Sequence, residues 1–570
     1  MRIRLVVIFV AVALIIGTAN PRVSAGPVPA GSSRQEAKPT AAPNLSRMEQ
    51  VIQSFAADKH FMGAVLIARG NDILLDKGYG FANVEWNVPN SPKTKFRLGS
   101  VTKQFTAASI LLLEERGKLS VNDPVKKYMP DAPAAWDKIT IFNLLTHTSG
   151  IPNFTAFPDY ASLETFPATP AQLVARFRDK PLDFQPGEKW NYSNSGYVLL
   201  GYLIEKISGQ SYAQFVEESI FKPLGMADSG YDSNSAIIQN RASGYAPSAN
   251  GLTNAPYVNM TGPFAAGALY STTEDLLRWE QGLFGGKLLS AASLKEMTTP
   301  FKNNYAFGLE VLTRDGHQVI EHNGGIEGFN TVLSYYPDDK MTVVVLANVN
   351  GSAPGEIATD LATLAQGGNV MLTSELKEVH VDPQVFDRYV GVYKFAPAIG
   401  MAVTRDGDRF LTQLTGQGPV EIFPESDHDF FTKVVDAQIT FVTDDQGRAT
   451  ELILHQNGQD VHAPKAEGAE AAALAPKEHK EVPVDPKIFD GYVGAYQLDP
   501  TLMVTISREG DQLFSQMADH PKLRIYPESE KDFFMKEYDT QFTFVTDAQG
   551  RATELIVHRW GTDQHGKRID

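Results

Sequence analysis

The C-terminal part of the chain contains one sequence twice, and this repeat limits how the chain can fold. Residues Phe441–Ile453 recur as Phe544–Ile556 with a single substitution, at an offset of 103 residues. The same offset relates two longer copies, which span residues 378–462 and 481–566. Each copy has the pattern of short strands separated by tight turns. We therefore predict two small antiparallel β-barrel-like repeats, joined by a linker over residues 463–480.

The residues before the repeats are predicted to form one larger domain, from 45 to 373, that mixes helices and strands. A hairpin pattern covers Met62–Asp76, and a second pair of strands covers Asn330–Ala347. The hydroxyl and acidic side chains of Thr272–Asp275 are typical of a helix start. Further helices are predicted at Ser100–Arg116, Ile141–Leu145 and Gly196–Ser208. These patterns predict an α+β fold in which helices pack on an antiparallel sheet.

The N-terminus has the three parts of a secretory signal peptide. A short positive segment, Met1–Arg4, precedes the apolar run Leu5–Ile16, and small residues follow at Val23–Ala25. We predict a signal peptide over residues 1–25, a Pro- and Ala-rich tether over 26–44, and export to the periplasm or the medium. The alternative is an uncleaved anchor, but the apolar run is short for a membrane span. No stable span is expected after cleavage.

Composition narrows the classes of function. The net charge is −16, so nucleic acid is not an expected partner. The sequence has no cysteine, which excludes thiol nucleophiles, disulfides and cysteine metal sites. It also has no His-Glu-x-x-His zinc motif and no Gly-x-Ser-x-Gly nucleophile elbow. Any hydrolytic chemistry must therefore come from another arrangement of side chains.

A serine and a lysine stand three residues apart at the start of a nearly continuous apolar run. On a helix, Ser100 and Lys103 would share one face of the first turn. The helix dipole and burial against Phe105–Leu113 would both disfavour the ammonium and lower the pKa of the lysine. A neutral amine beside a hydroxyl can activate a serine nucleophile, and free N–H groups of the turn could face an oxyanion. The motif alone is weak, since Ser219–Lys222 and Ser374–Lys377 also match it.

Two later motifs give this pair a context. Tyr192-Ser-Asn194 is predicted in a loop before a helix, and His322-Asn-Gly-Gly325 just before a strand. Together the motifs resemble the serine β-lactamase and penicillin-binding-protein superfamily, on the branch of class C β-lactamases, D-Ala-D-Ala carboxypeptidases, D-aminopeptidases and esterases. The resemblance covers roughly residues 45 to 365, and the two repeats resemble the lipocalin-like domains of some members. Connecting stretches that match are Phe96–Ser100, Leu144–Pro152, Tyr192–Tyr197, Pro223–Met226 and His322–Phe329.

The resemblance implies a role for each motif residue. Ser100 would be the nucleophile that forms an acyl-enzyme, and Lys103 and Tyr192 would share proton transfer. Asn194 would hold Lys103 and the substrate amide, and the backbone N–H groups of Ser100 and Gly325 would form the oxyanion hole. No metal or organic cofactor is implied. Because the ordinary pKa of tyrosine is about 10, Tyr192 would act as a base only if nearby positive charge lowered it.

Two positions depart from the β-lactamase pattern. The resemblance places His322, Asn323 and Gly324 at the substrate. Most β-lactamases have Lys at the position of His322, where it binds the substrate carboxylate. They usually have Thr at the position of Asn323. A histidine is only partly charged near pH 7, which weakens that anchor. Glu321 should point to the opposite face of the strand and be a poor charge partner. These departures argue against an efficient β-lactamase.

We therefore predict an exported serine hydrolase that acts through an acyl-enzyme on a peptide, amide or ester. A D-amino-acid peptidase or D-Ala-D-Ala carboxypeptidase ranks ahead of an esterase or a weak β-lactamase. The alternative from another class is a penicillin- or peptidoglycan-binding receptor with little turnover. The expected partner is a small molecule or a peptide, with the cell wall as one source. Residues assigned structural roles are His147 and Ser149 in a loop, Phe430–Phe431 and Phe533–Phe534 in barrel cores, and His455 and His558 in packing or at the surface.

Overall fold

The computed structural model describes the chain from Asn44 to Ile569, apart from short gaps. The predicted signal peptide and, except for Asn44, the predicted tether lie outside the described residues. The described chain divides into two compact units, one ending at Val370 and one starting at Met371. None of the described helices combines the length and the apolar character needed to cross a membrane. The gaps are 58–59, 158, 249–250, 398, 434–436, 457–458, 477–478, 499–502, 518–521, 537 and 560–561.

The N-terminal unit mixes helices and strands throughout its length. Its helices are α1 (Leu45–Ala57), α2 (Thr102–Glu115), α3 (Ile141–Leu145), α4 (Tyr160–Leu163), α5 (Pro170–Arg178), α6 (Asn194–Ser208), α7 (Tyr212–Val216), α8 (Lys222–Leu224), α9 (Phe264–Gly267), α10 (Thr273–Phe284), α11 (Ala291–Met297) and α12 (Ala353–Ala365). Its strands are β1 (Gly63–Arg69), β2 (Asp72–Tyr79), β3 (Phe81–Asn83), β4 (Val88–Pro89), β5 (Phe96–Arg97), β6 (Gly230–Tyr231), β7 (Tyr245–Ser248), β8 (Gly251–Asn254), β9 (Leu269–Ser271), β10 (Glu310–Arg314), β11 (His317–Ile326), β12 (Phe329–Tyr336) and β13 (Met341–Ala347).

A six-stranded antiparallel sheet, ordered β10-β11-β12-β13-β1-β2, lies at the centre of this unit. On β1, the alternate residues Ala64, Leu66 and Ala68 join the main hydrophobic core with residues of α2 and α10. Val65 and Ile67 between them are also fully buried and point to the other face. Helix α12 packs against β12 and β13 and contributes nothing to the main core. The sheet is thus covered on both faces, and the predicted α+β fold is confirmed.

The predicted local signals correspond closely to the observed elements. Thr272 caps α10, where its hydroxyl accepts a hydrogen bond from the backbone N–H of Asp275 at 3.3 Å. The helix predicted from Ser100 begins as a 3-10 turn over Gly99–Val101 and continues as α2. The His322 motif precedes strand β12, as predicted, but it also lies inside strand β11, which the sequence did not indicate.

Helix α2 is buried on all sides, which explains its nearly continuous apolar sequence. The Phe105 ring lies 4.1 Å from the Trp279 ring and 5.7 Å from the Phe221 ring, measured between centroids. The indole N–H of Trp279 donates to Gln104 Oε1 at 2.9 Å, so this polar side chain is held inside the core. The serine and lysine motif therefore stands at the N-terminus of the central helix of the unit.

Glu280 on α10 is a buried carboxyl group whose Oε2 has no hydrogen-bond partner among the described residues. Burial raises its pKa well above the ordinary value of 4.5. The folded protein therefore still holds, at neutral pH, a proton that the unfolded chain has already released, so Glu280 opposes folding increasingly as pH rises. We expect Glu280→Gln to raise the free energy of unfolding by about 1–3 kcal/mol at pH 8 and by less at pH 5.

Urea unfolding at both pH values measures this effect, with Glu188→Gln at an exposed position as the control. The control should leave the free energy of unfolding within about 0.5 kcal/mol of the wild type. An equal gain at pH 5 and pH 8, or no gain at all, would contradict the assignment of a buried neutral carboxyl.

Each C-terminal repeat forms an eight-stranded antiparallel sheet in sequence order. The second sheet closes into a barrel where Tyr496 pairs with Arg568, and the ends of the first meet at a bridge between Tyr393 and Lys465. The predicted barrel-like repeats are confirmed. The first contains α13 (Pro383–Phe386), β14 (Gly391–Ala396), β15 (Ile399–Asp406), β16 (Arg409–Leu414), β17 (Val420–Pro424), β18 (Asp429–Thr432), β19 (Gln438–Thr443), β20 (Ala449–Gln456) and β21 (Gln459–Pro464). After it come α14 (Gly468–Leu474), inside the predicted linker, and then β22 (Gly494–Gln497), β23 (Met503–Glu509), β24 (Gln512–Met517), β25 (Leu523–Pro527), β26 (Asp532–Phe534), β27 (Thr540–Thr546), β28 (Ala552–Arg559) and β29 (Thr562–Arg568).

The aromatic pairs of the repeats divide between two faces. Phe430 and Phe533 lie in the aromatic cores of their sheets, as predicted. Phe431 and Phe534 are buried but belong to neither core, and Phe534 packs on the ring of His479 at 5.1 Å. Adjacent residues on a strand point to opposite faces, so the prediction that both members of each pair are core was wrong for the second member.

The two repeated histidines have the same surroundings in both copies. His455 Nδ1 lies 2.6 Å from Asp460, and its Nε2 lies 3.0 Å from the hydroxyl of Thr440. Likewise, His558 Nδ1 lies 2.7 Å from Asp563, and its Nε2 lies 3.0 Å from the hydroxyl of Thr543. Both imidazoles are partly exposed. These contacts agree with the predicted role in packing or at the surface.

Candidate active site

Lys103 is fully buried, and its amine contacts three groups. Nζ lies 2.9 Å from Ser100 Oγ, 2.9 Å from Asn194 Oδ1 and 2.9 Å from the backbone carbonyl oxygen of Ala266. Burial lowers the pKa of Lys103 well below its ordinary value. A neutral amine has two N–H bonds and one lone pair. Because the amide and carbonyl oxygens accept the two N–H bonds, the lone pair remains for the hydroxyl of Ser100.

Two glycines let the turn that carries Ser100 approach strand β11. Gly99 has a φ of +52°, and a Cβ there would lie 2.8 Å from Gly325 N. A Cβ at Gly324 would lie 1.9 Å from the carbonyl oxygen of Leu98. Only glycine permits contacts this close between two backbones. The structure thus brings Ser100 and Gly325 together, the two residues predicted to supply the oxyanion hole.

The edge of β11 next to Ser100 is open along the predicted substrate motif. Strand β10 pairs with β11 only from His317 to Glu321, and no other described strand pairs with that edge farther along. Asn323 and Gly325 are exposed there, whereas Gly324 is buried against Leu98. An extended substrate can therefore lie along this edge and reach Ser100. Gly324 serves the close approach of the backbones, a role that the sequence did not predict.

Asn194 is oriented by groups that lie elsewhere in the sequence. Its Nδ2 donates to the hydroxyl of Thr155 at 3.1 Å, and its backbone N–H donates to Asn153 Oδ1 at 3.1 Å. These bonds leave Asn194 Oδ1 facing Lys103. The structure therefore places Asn194 where the resemblance implied, at the first turn of α6 and against the lysine amine.

Tyr192 also lies at Ser100, and its environment sets its protonation state. Its side chain interacts with that of Ser100, and Lys103 Nζ lies 4.9 Å from the centre of its ring. Burial raises the pKa of Tyr192 above its ordinary value. The sequence left open a tyrosine base with a lowered pKa, and this structure does not support it. Tyr192 is a protonated phenol that can donate, and Lys103 is the group that can accept.

His322 is buried and neutral, with both ring nitrogens in use. Nδ1 donates to the carbonyl oxygen of Asn323 at 2.6 Å, and Nε2 accepts from the hydroxyl of Tyr305 at 2.9 Å. Burial, with a smaller contribution from Lys103, lowers the pKa of His322 to about 3. The prediction of a partly charged imidazole was therefore wrong. The site has no cation at this position for a substrate carboxylate.

The contacts of Glu321 confirm the prediction that its carboxylate does not pair with His322. Its carboxylate accepts two hydrogen bonds from Arg314, each of 2.6 Å, and one from Ser334 at 2.7 Å. All of these groups lie on the face of the sheet opposite to His322. Glu321 therefore does not influence the imidazole through a direct contact.

The charge state of His322 has a consequence for the pH dependence of activity. We expect His322→Gln to change kcat/KM by the same factor at pH 5.5 and pH 8, within about twofold, because His322 is neutral at both. Hydrolysis of a p-nitrophenyl ester measures this, with His317→Gln as a control at a histidine outside the motif. A loss that grows several-fold toward pH 5.5 would show that the charged imidazole matters.

Several contacts at the site could not be predicted from the sequence. Tyr305 holds His322 from a loop before β10, and the carbonyl of Ala266 holds Lys103 from the end of α9. Thr155 orients Asn194 from a 3-10 turn. None of these residues belongs to a recognisable motif, and a backbone carbonyl carries no signal in its side chain. They could be found only from the three-dimensional arrangement.

The assembled groups support acyl transfer. A hydroxyl faces a neutral amine, a protonated phenol interacts with the same serine side chain, and the N–H groups of Ser100 and Gly325 lie beside an open strand edge. These are the parts needed to add a serine to a carbonyl carbon and to protonate a leaving group. In the described part of the chain, no cluster of three or more acidic or histidine side chains could hold a metal ion.

Comparison with known families identifies both parts of the chain. A family model described as Beta-lactamase matches residues 48–367, more than half of the chain. A second model, described as a domain of unknown function (DUF3471), matches residues 376–465 and again 478–569. The two matches of the second model correspond to the two sequence repeats.

Individual proteins resemble the chain over its N-terminal unit and beyond. Penicillin-binding protein 4* of Bacillus subtilis (strain 168) is 30% identical over 454 residues, which cover 74% of this chain and 98% of that protein. The putative penicillin-binding protein PbpX of the same organism is 33% identical over 306 residues, which cover 53% of this chain and 75% of that protein. Among solved structures, the octameric penicillin-binding protein homologue from Pyrococcus abyssi is 27% identical with a TM-score of 0.55, covering 74% of this chain and all of that one.

Proposed function

This chain belongs to the β-lactamase family of serine hydrolases, and we propose that it hydrolyses a peptide or amide through an acyl-enzyme on Ser100. The observation that carries the proposal is the amine of Lys103, fully buried and 2.9 Å from Ser100 Oγ. A buried lysine with no carboxylate partner is costly. Its placement is explained if the neutral amine serves as the base that activates the serine.

In the proposed reaction, Ser100 Oγ attacks the carbonyl carbon while its proton passes to Lys103. The carbonyl oxygen becomes an oxyanion that accepts hydrogen bonds from the N–H groups of Ser100 and Gly325. Tyr192 then protonates the leaving nitrogen as the C–N bond breaks, and the ammonium of Lys103 returns a proton to the tyrosinate. Water hydrolyses the resulting ester by the same steps in reverse. The proton lost by Ser100 is balanced by the proton gained by the leaving amine, and the proton taken from water restores the hydroxyl of Ser100.

The charge of His322 affects which substrates can bind. Because this imidazole is neutral and both its nitrogens are in use, a free substrate carboxylate finds no charged partner there. A D-aminoacyl amide or peptide therefore ranks ahead of a D-Ala-D-Ala terminus. The relatives are named as penicillin-binding proteins, and penicillin is a cyclic amide, which supports an amide carbonyl as the group attacked. An esterase is the second candidate, since an ester likewise needs no carboxylate anchor.

Export remains part of the proposal and is supported by the sequence pattern of residues 1–25. An exported hydrolase of this kind would meet peptides outside the cytoplasm, including those of the cell wall. N-terminal sequencing of the protein recovered from a culture fractionated into cytoplasm, periplasm and medium would test this. A full-length N-terminus recovered only from the cytoplasm would exclude it.

The proposal is tested by incubating the purified protein with a D-aminoacyl p-nitroanilide, with the matching p-nitrophenyl ester and with benzylpenicillin. We expect repeated turnover of the anilide and the ester, little penicillin adduct in the intact mass spectrum, and no turnover by Ser100→Ala. A stable one-equivalent penicillin adduct without turnover of the other two would favour the receptor. Activity that survives Ser100→Ala would exclude the proposed site.

A further inference from the structure

The loop residue His147 accepts hydrogen bonds from the backbone N–H groups of both residues that flank Tyr192. The backbone N–H of Asn191 donates to the carbonyl oxygen of His147 at 3.0 Å. The backbone N–H of Ser193 donates to His147 Nδ1 at 3.1 Å. One residue thus fixes the chain immediately before and immediately after the tyrosine.

The imidazole of His147 also packs against the tyrosine ring itself. The centroids of the His147 and Tyr192 rings are 4.3 Å apart, and the Tyr305 ring lies 4.6 Å from His147 on another side. His147 is only 2% exposed and has a φ of +56°, which is uncommon for a residue other than glycine. The ring of Tyr192 is therefore supported by a side chain that is itself held in an unusual backbone conformation.

The hydrogen bonding of His147 is incomplete in a way that packing alone does not explain. Because Nδ1 accepts from Ser193, the proton of the neutral imidazole lies on Nε2. Nε2 is buried and has no hydrogen-bond partner among the described residues. Burying a polar group without a hydrogen-bond partner is unfavourable, so an apolar residue would be more stable there if the position only filled space.

We propose that His147 is a positioning residue that fixes the hydroxyl of Tyr192 against Ser100. The inference rests on the proposed function, in which Tyr192 protonates the leaving group. Proton transfer requires hydrogen-bond contact between the donor and the group that leaves, and a displacement of about 1 Å can cost about 10²-fold in rate. A loosened Tyr192 loop would therefore impair leaving-group protonation before it impaired folding.

The choice of substrate can separate this role from a general structural one. A nitroanilide nitrogen must be protonated to leave, whereas p-nitrophenolate leaves as an anion. The ratio of kcat/KM for an anilide to that for the ester of the same D-amino acid therefore reports protonation by Tyr192. Both values are measured on one enzyme sample, so the ratio does not depend on the fraction that is folded.

The experiment compares His147→Leu, His147→Asn and Tyr192→Phe in the full chain. His147→Leu removes the acceptor for Ser193 N–H and should lower the ratio about tenfold or more. His147→Asn offers an oxygen near the position of Nδ1 and tolerates positive φ, so its ratio should stay within about threefold of the wild type. Ser149→Ala removes a hydrogen bond to Ile151 in the same loop and should leave the ratio unchanged.

A double mutant shows whether His147 acts through Tyr192. Tyr192→Phe alone should lower the ratio by about 100-fold, and adding His147→Leu should lower it no further. Equal losses on both substrates in His147→Leu, or a further tenfold loss in the double mutant, would overturn the inference. Failure of the wild type on both substrates, or activity of Ser100→Ala, would instead remove the proposed function on which the inference rests.

Discussion

Lys103→Met is expected to lower kcat/KM by about 10³-fold or more while the protein remains folded. Methionine fills a similar volume, but its thioether sulfur is too weak a base to accept the proton of Ser100. General-base contributions of positioned side chains are typically about 10²–10⁴-fold, and Lys103 is the one group within hydrogen-bond distance of Ser100 Oγ whose pKa is lowered. Ester hydrolysis measures the loss, with Lys118→Met at an exposed position as the control.

The same substitution should change how stability depends on pH. Between the lowered pKa of the folded state and about 10.4 in the unfolded state, only the unfolded chain binds the proton of Lys103. The stability of the wild type relative to that of Lys103→Met should therefore rise with pH, by about 1.4 kcal/mol per unit between pH 7 and 9. Urea unfolding at several pH values tests this. A difference that does not change with pH would mean that the buried amine is charged.

The proton-transfer pair could be predicted because its members are close in sequence. Ser100 and Lys103 share a helical face by their spacing alone, and the apolar run after them indicates burial. The remaining contacts of the lysine come from Asn194 and from the carbonyl of Ala266, which lies 163 residues away in sequence. No local pattern specifies which carbonyl will meet an amine after the chain has folded.

The charge on His322 illustrates a different limit. The residue type indicates a group that titrates near neutral pH, and the sequence therefore suggested a weakened cation. In the fold, burial dominates, and Tyr305 donates to the nitrogen that would otherwise take up a proton. The protonation state of a histidine depends on its tertiary neighbours, so it could not be predicted before those neighbours were known.

The strands were more predictable than the direction of some side chains. Apolar runs on either side of a turn sequence correctly indicated the hairpins of the central sheet. The alternation of side chains along a strand, applied to Phe430–Phe431, already required one ring to face away from the core. The assignment of both rings to the core followed their residue type and neglected their spacing, so this part of the error was avoidable from the sequence alone.

Gly324→Ala is expected to lower the free energy of unfolding by about 3 kcal/mol or more. The added Cβ would lie 1.9 Å from the carbonyl oxygen of Leu98 and 2.3 Å from the hydroxyl of Thr331. That hydroxyl donates to the same carbonyl oxygen at 2.8 Å, so the methyl group would also break this bond. A backbone carbonyl cannot rotate away as a side chain can, and relief requires the turn that carries Ser100 to move off strand β11.

Two other glycines provide matched controls for this substitution. Gly355→Ala lies in α12 with open space around the new Cβ, and alanine should stabilise the helix by up to about 1 kcal/mol. At Gly325, the new Cβ would meet only the side-chain nitrogen of Asn330, at 3.3 Å. Gly325→Ala should therefore fold close to normally. Urea unfolding of the three variants separates backbone contact from the general cost of replacing glycine.

The activity of any folded Gly324→Ala protein gives a second test. Because the strand and the turn of Ser100 must separate to admit the methyl group, the N–H groups of Ser100 and Gly325 would no longer face the same point. Loss of one oxyanion donor costs about 10²–10³-fold in kcat, and the folded variant should lose at least that much. A stability within 1 kcal/mol of the wild type with unimpaired turnover would mean that the close approach of the two backbones does not hold the site together.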